Sequence, residues 1–300
     1  MRKLPLSPRK IVSLVGEVQS LMEGARRLLV LGSDAEAVAA VRETITEGAA
    51  PEKAHYLVET VTYGAGEFRM PLGNNGSVGA AVVVAAGGEL VGNGLKSGMV
   101  QARDAGVPVV LVLTEAPGVQ ISLPDVGVGP QRVVGIAPDG RPPADVLAEA
   151  LVDATGDGAV ALASHLPALR EETCNRVIRQ TARQNAVVGV LFFLPGADMP
   201  VMTLNEARMV LRIAAAHGEP VGTERALELL GVVGTGFGLR AAARQALDLL
   251  PGPGWAIKGG VAYSGTQALG RTAKAYFDGS ARLTPSRLAP LVEKVKKLRG

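Results

Sequence analysis

Between Arg27 and about Ala137 the chain alternates short apolar runs with stretches of helical spacing, and this alternation narrows the fold more than any other feature. Five runs read as strands: RLLVL at 27–31, HYLVETVT at 55–62, AAVVVAA at 80–86, VPVVLVLT at 107–114 and RVVGI at 132–136. Strands that alternate with helices predict a mainly parallel sheet with crossover helices. The helices fit between them, from about Asp34 to Glu47, from Leu95 to Ala105, and from the residues after Pro142 and Pro143 to Asp153. Glycines 48 and 106 just past the first two ends, and the prolines ahead of the third, support those limits.

After about Ala150 the strand signal stops and the pattern is helical. A long helix is expected from Pro167 to Gln184, followed by the apolar run AVVGVLFFLP at 186–195. Thr203 and Glu206 in TLNE have the spacing of a capping box for the next helix, which should stop at His217 and Gly218. Further helices are expected over 224–230, 239–250, 256–277 and 285–298. Ala256, Gly260, Ser264 and Ala268 recur every fourth residue, which predicts a small-residue face that another backbone could approach closely. Ahead of all this, Ile11, Leu14, Val15, Val18, Leu21 and Met22 have helical spacing, with Glu17 and Gln19 between them, and read as an amphipathic helix and not a secretory signal. The expected organisation is an amphipathic helix at 1–26, an α/β domain at 27–150, and an all-α helical domain at 151–300 that ends in a basic helix.

Composition narrows the function. A formal net charge of +3 over 300 residues is too small by itself to mark a nucleic-acid footprint, and no nucleic-acid partner is expected. Basic residues gather at Arg2, Lys3, Arg9 and Lys10 and again at Lys294, Lys296, Lys297 and Arg299, where an anionic lipid surface would attract them. The single cysteine, Cys174, leaves no internal disulfide framework and suits a reducing cytoplasm. His55, His165 and His217 stand far apart in sequence, so no metal-ligand spacing exists. The uncharged stretch from Gln184 to Ala197 falls short of the roughly 18 apolar residues that a membrane span needs, and Pro195 splits it.

Two stretches could hold a phosphate. RLLVLGSDAEAVAAVRE has the strand, glycine turn and helix of a phosphate loop, which needs G-x-x-x-x-G-K-[ST]. Counted from Gly32, the second glycine, the lysine and the hydroxyl are replaced by Ala37, Val38 and Ala39. Ser33 and Glu36 instead form a capping box, and Asp34 and Glu36 place negative charge where the helix dipole would attract an anion. The second stretch, GGELVGNGLKSG, offers Gly92, Gly94, Lys96 and Ser97 as a cationic glycine-rich loop, but its spacing matches neither standard pattern. Neither a nucleophile elbow nor a Ser164/His165 dyad is present, since neighbours on one helix point in different directions. Cys174 reads as a small packed apolar residue.

The strand order and spacing over 27–137 resemble an Era-like small GTPase domain. RLLVLG sits where the phosphate-loop strand would be, GAAVVVAAGG where the strand after switch II would be, and GVPVVLVLTEA leads toward the base-reading motif. There the chain has Thr114, Glu115, Ala116 and Pro117, so the lysine and aspartate that the resemblance would require for guanine are missing, and VVGIAP at 133–138 lacks the usual serine and alanine pair. The stretches FLPGADMPVMTLNEARMVLRIAAAHGEPV and LLPGPGWAIKGGVAYSGTQALGRTAKAYFDG resemble the helical domain of unknown function of YcjF-type bacterial proteins, over roughly 168–279. That resemblance implies association with the inner membrane and supplies no catalytic residues. The expectation is a Ras-like α/β domain without catalysis, cofactor or metal, a pseudo-GTPase scaffold in the cytoplasm or at the inner face of the cell membrane. Its helical domain would bind a protein partner, another copy or the membrane surface. Two other readings stand beside it: a nucleotide-binding hydrolase that uses the loop at 87–98, and a membrane-embedded envelope or trafficking component.

Overall fold

The computed structural model describes residues 8–24, 26–64, 69–72, 78–86, 93–114, 128–129, 132–137, 140–191, 199–223 and 254–279. The chain forms two units, one of residues 16–176 and one of residues 1–15 together with 177–300. The helix α1 (Pro8–Glu23) buries Ile11, Leu14, Val15 and Val18, the stripe expected of its spacing.

The first unit is built on a five-stranded sheet, every pair parallel, in the order β2-β1-β3-β4-β5. The strands are β1 (Arg27–Gly32), β2 (Val58–Thr62), β3 (Val78–Ala85), β4 (Val109–Leu113) and β5 (Val133–Gly135). Nearly every residue of β1, β3 and β4 is buried, because parallel sheets are covered by helices on both faces. Side chains alternate between the faces. Leu29, Leu31, Ala81, Val83 and Leu111 pack with Met99 and Ala102 of α4 (Asn93–Asp104). The opposite face of β1 meets α2 (Ala35–Thr46), and α5 (Ala144–Thr155) lies beside α2. The strand expected at 55–62 begins only at Val58. Residues Pro51–Leu57 form α3, where Pro51 occupies the first turn and Ala54 and Leu57 are buried at helical spacing. After α5 come a 3-10 turn at Gly156–Gly158, α6 (Ala159–Ala163) and a second 3-10 turn at Pro167–Leu169.

The helical unit contains α7 (Arg170–Leu191) from Val177 onward, α8 (Met199–Ala216) and α9 (Gly254–Phe277). The helix expected to stop at Gln184 continues through the apolar run to Leu191. Thr203 and Glu206 lie inside α8, not at its start, because the helix begins at Met199. His217 and Gly218 do end α8, with Gly218 at φ +79°. The helices expected at 224–230, 239–250 and 285–298 lie outside the described residues. Among those described, no helix is long and apolar enough to cross a membrane.

The close helix contact exists, but on another face of α9 from the one expected. Gly260, Ser264 and Ala268 are exposed, whereas Gly259, Ala262, Thr266, Leu269, Gly270 and Ala273 are buried. A Cβ on Gly270 would stand 2.5, 2.9 and 3.1 Å from Cγ1, Cγ2 and Cδ1 of Ile178, and one on Gly259 would stand 2.8 Å from Cγ2 of Val190. These two pairings run in opposite directions along the chain, so α7 and α9 are antiparallel. Spacing alone finds a small-residue ladder, but the neighbouring 3-4 repeat carries the leucine and threonine that need burial. Gly270→Ala should cost about 1–3 kcal/mol in urea unfolding, because buried Ile178 would have to shift to make room. Gly260→Ala, with nothing within 4 Å, should leave stability unchanged or raise it by up to about 1 kcal/mol.

Candidate functional site

Strand order reverses beside β1, and open α/β sheets with this order bind ligands outside the carboxyl ends of the strands at that point. Here the corner consists of Gly32, Ser33 and Asp34, between the ends of β1 and β3 and the start of α2. Gly32 is enclosed. A Cβ there would lie 2.8 Å from Cγ2 of Val38, 2.8 Å from the Val84 carbonyl oxygen and 3.1 Å from Val84 Cβ. The glycine serves close packing of strand on helix, and buried Val38 fills the space beside it.

The first-turn amides of α2 are also occupied. Oδ1 of Asp34 accepts from the Glu36 amide at 2.9 Å and the Ala37 amide at 3.3 Å. The N-cap is Asp34, not the expected Ser33, and its backbone is extended, with φ −94° and ψ 110°. The shift follows from packing: Ala37, Val38, Val41 and Ile45 must face the core, which starts the helix at Ala35 and leaves Asp34 as the residue before it. Ser33 and Ala39 are exposed. Carboxylates at Asp34 and Glu36 set negative charge against any phosphate at this helix end.

The other predicted positions do not converge on a site. Thr114 donates its amide to the Ala85 carbonyl at 3.1 Å and so prolongs the β3–β4 ladder, while Glu115, Ala116 and Pro117 lie outside the described residues. Gly92 also lies outside them. Gly94, Lys96 and Ser97 belong to the opening turns of α4, where Lys96 and Ser97 are exposed neighbours about 100° apart around the helix. Among the described residues no group of three or more His, Cys, Asp or Glu could hold a metal ion. Cys174 is fully buried, and Ser164 donates to the Ala161 carbonyl at 2.7 Å. Burial, with a smaller contribution from the Lys53 charge, holds His165 below its ordinary pKa.

Sequence reasoning missed a polar cluster inside the helical unit. Nδ2 of Asn185 donates to Thr266 Oγ1 at 3.0 Å, and the Thr266 hydroxyl donates to Glu206 Oε1 at 3.1 Å. Nδ2 of Asn205 donates to Asn185 Oδ1 at 2.9 Å. Asn185, Glu206 and Thr266 are all buried, and they tie α7, α8 and α9 together at one level. At the far end of α8, both ring nitrogens of His217 have partners at 2.8 Å, the Ile213 carbonyl and Asp278 Oδ1, and the ring lies 5.6 Å from that of Phe277. The available signal was a glutamate at core spacing among Met202, Met209 and Val210.

The chain thus joins a parallel α/β unit with a filled ligand corner to a helical unit with a polar centre. Residues 157–297 match the family model of a domain of unknown function, DUF697, a match that includes the helical unit from α7 onward and is wider at both ends than the resemblance read from sequence. No curated protein matches the chain, and no solved structure matches it.

Thr266→Val should cost about 1–3 kcal/mol in urea unfolding, since it strips a partner from both Asn185 and Glu206. The control Thr272→Val, on the exposed side of α9, should change stability by less than about 0.5 kcal/mol. His165 gives a pH test. Its lowered pKa means that the unfolded chain takes up the proton first, so its contribution to stability is lost as pH falls below the usual histidine value of about 6.5. Unfolding midpoints of the wild type and His165→Gln should run parallel above that pH, with the wild type falling faster below it.

Proposed function

We propose that the chain is a non-catalytic scaffold: a pseudo-GTPase-like α/β unit that keeps the strand, turn and helix of a phosphate site without its ligand, joined to a helical association module. The carrying observation is the Gly32 corner, where Val38 and Val84 take the space and the Asp34 carboxylate takes the Glu36 and Ala37 amides. A nucleotide phosphate would have to displace that carboxylate from two amides and approach two negative side chains without a lysine. The helical unit bears on the second half of the reading through α7, α8 and α9, which a buried polar cluster of Asn185, Glu206 and Thr266 holds together. On this reading the module meets a protein partner, a second copy or the inner face of the cell membrane.

Isothermal titration calorimetry of the purified chain with GTP and with ATP, each with Mg²⁺, should give no binding stronger than about 1 mM, roughly −4 kcal/mol. Micromolar, Mg²⁺-dependent binding of either nucleotide would sink the scaffold reading.

A further inference from the structure

The amino ends of the strands, opposite the Gly32 corner, border a cleft of about 390 Å³. Clefts that hold small molecules run from about 300 to 1,000 Å³, so this one is sized for a ligand of a few carbons and not for a nucleotide. Three pieces of the α/β unit wall it: the last turns of α1, the residues where β1 and β3 begin, and the turn that leads from α5 into α6. From Arg26, the residue before β1, to Gly32 the chain rises about 20 Å, which keeps the cleft and the filled corner apart. Gly79 of β3 lines the cleft beside Arg26. A Cβ on Gly79 would stand 3.0 Å from Arg26 Cβ, so the glycine leaves room for the arginine stem.

The cleft holds charge of both signs. Arg26 is exposed, and no hydrogen bond or ion pair occupies its guanidinium among the described residues. Its neighbour Arg27, by contrast, is paired with Glu59 at 2.6 Å. On the opposite account stands Glu17, half-buried on α1, whose carboxylate offers about four lone-pair directions. The last turn of α1 adds the negative end of a helix dipole. Ser20 and Thr155 line the cleft as well, and the Thr155 hydroxyl donates to the Leu151 carbonyl at 2.7 Å, so toward a ligand it can only accept. Leu21 and Leu162 supply apolar wall.

We propose that this cleft binds a small zwitterion, an apolar α-amino acid, with its carboxylate on the Arg26 guanidinium and its ammonium on the oxygens of Glu17, Ser20 and Thr155. A guanidinium fork takes a carboxylate through two parallel hydrogen bonds. An ammonium has three donors and no acceptor, which suits a carboxylate and two hydroxyl oxygens. Leu21 and Leu162 are left for the apolar side chain. Other ligand classes fit the same walls less well. A polyphosphate would meet Glu17 and the negative end of α1, a metal cation would meet Arg26, and an apolar molecule would cover both charges without pairing either. The proposal goes beyond the scaffold reading and does not depend on it, because a ligand at the amino ends of the strands leaves the Gly32 corner as it is.

The test is calorimetric titration of the full chain, without Mg²⁺ or nucleotide, with alanine, valine, leucine, methionine and phenylalanine. At least one should bind saturably with Kd below about 1 mM. The N-acetyl form of that amino acid, which lacks the ammonium, and its amide, which lacks the carboxylate, should each bind at least about tenfold more weakly. Arg26→Gln and Glu17→Gln should each weaken the parent amino acid by a similar factor. Circular dichroism checks that the variants fold, and Ser20→Trp, at an exposed position on the cleft wall, should abolish binding with both charges in place. No binding of any of these amino acids, equal binding of the acetylated or amidated form, undiminished binding by Arg26→Gln, or binding that survives Ser20→Trp overturns the proposal. None of those results touches the scaffold reading, which stands or falls on the titrations with GTP and ATP.

Discussion

The α/β unit depends on the contact at Gly32. A parallel sheet must be covered on both faces, and the inner strand β1 can be covered at its carboxyl end only if α2 starts at once and lies close. Gly32 permits this because Val38 and the Val84 carbonyl stand where a side chain would be. Once Val38, Val41 and Ile45 are in the core, the helix start is fixed, Asp34 becomes the cap, and the free amides of the first turn are taken. Close packing, helix register and the closing of the ligand corner are one arrangement seen at three scales. Lysine at position 38 would place a charge in a site that is 3% exposed, so a phosphate-loop cation could not stand there without opening the sheet.

The helical unit uses glycine in the same way for a different end. Gly259 and Gly270 bring α9 against α7 closely enough for short side chains to bridge helices. Asn185 and Thr266 meet at 3.0 Å for that reason, and the threonine hydroxyl can then both accept from the amide and donate to Glu206. A buried polar cluster of this kind penalises any other register, since a slip of one turn would leave a carboxylate and an amide without partners. Clamping of His217 between Ile213 and Asp278 holds α8 to the end of α9 at a second level.

Much of the fold was legible because the central strands are unambiguous. RLLVL, AAVVVAA and VPVVLVLT lack helical period and are bounded by glycine, proline or charge, and each became a strand within two residues of the expected limits. HYLVETVT was harder because His55, Tyr56 and Leu57 fit either period, and Pro51, which starts the helix, stands outside the run. The cap slipped by one residue because Ser33 and Asp34 are both good caps, and only the core positions of α2 choose between them. TLNE looked like a helix start because its spacing is that of a capping box, although Glu206 is spaced for a core partner. The polar cluster could not be read at all: its hydrogen bonds join residues 20, 60 and 81 positions apart.

Charge decides whether a strand, a turn and a helix can hold an anion as much as loop shape does. A strand, a glycine turn and a helix form an anion site only while the helix amides are bare and the local field is positive. At the β1–α2 corner both conditions fail, since Asp34 caps the amides and Glu36 adds a second negative charge. In α8 and α9 the balance is reversed: the one acid, Glu206, is buried on Thr266, while Arg271 is exposed and Arg208, Arg212 and Lys274 are half-buried. Burying Glu206 on Thr266 therefore helps to fix the helix register.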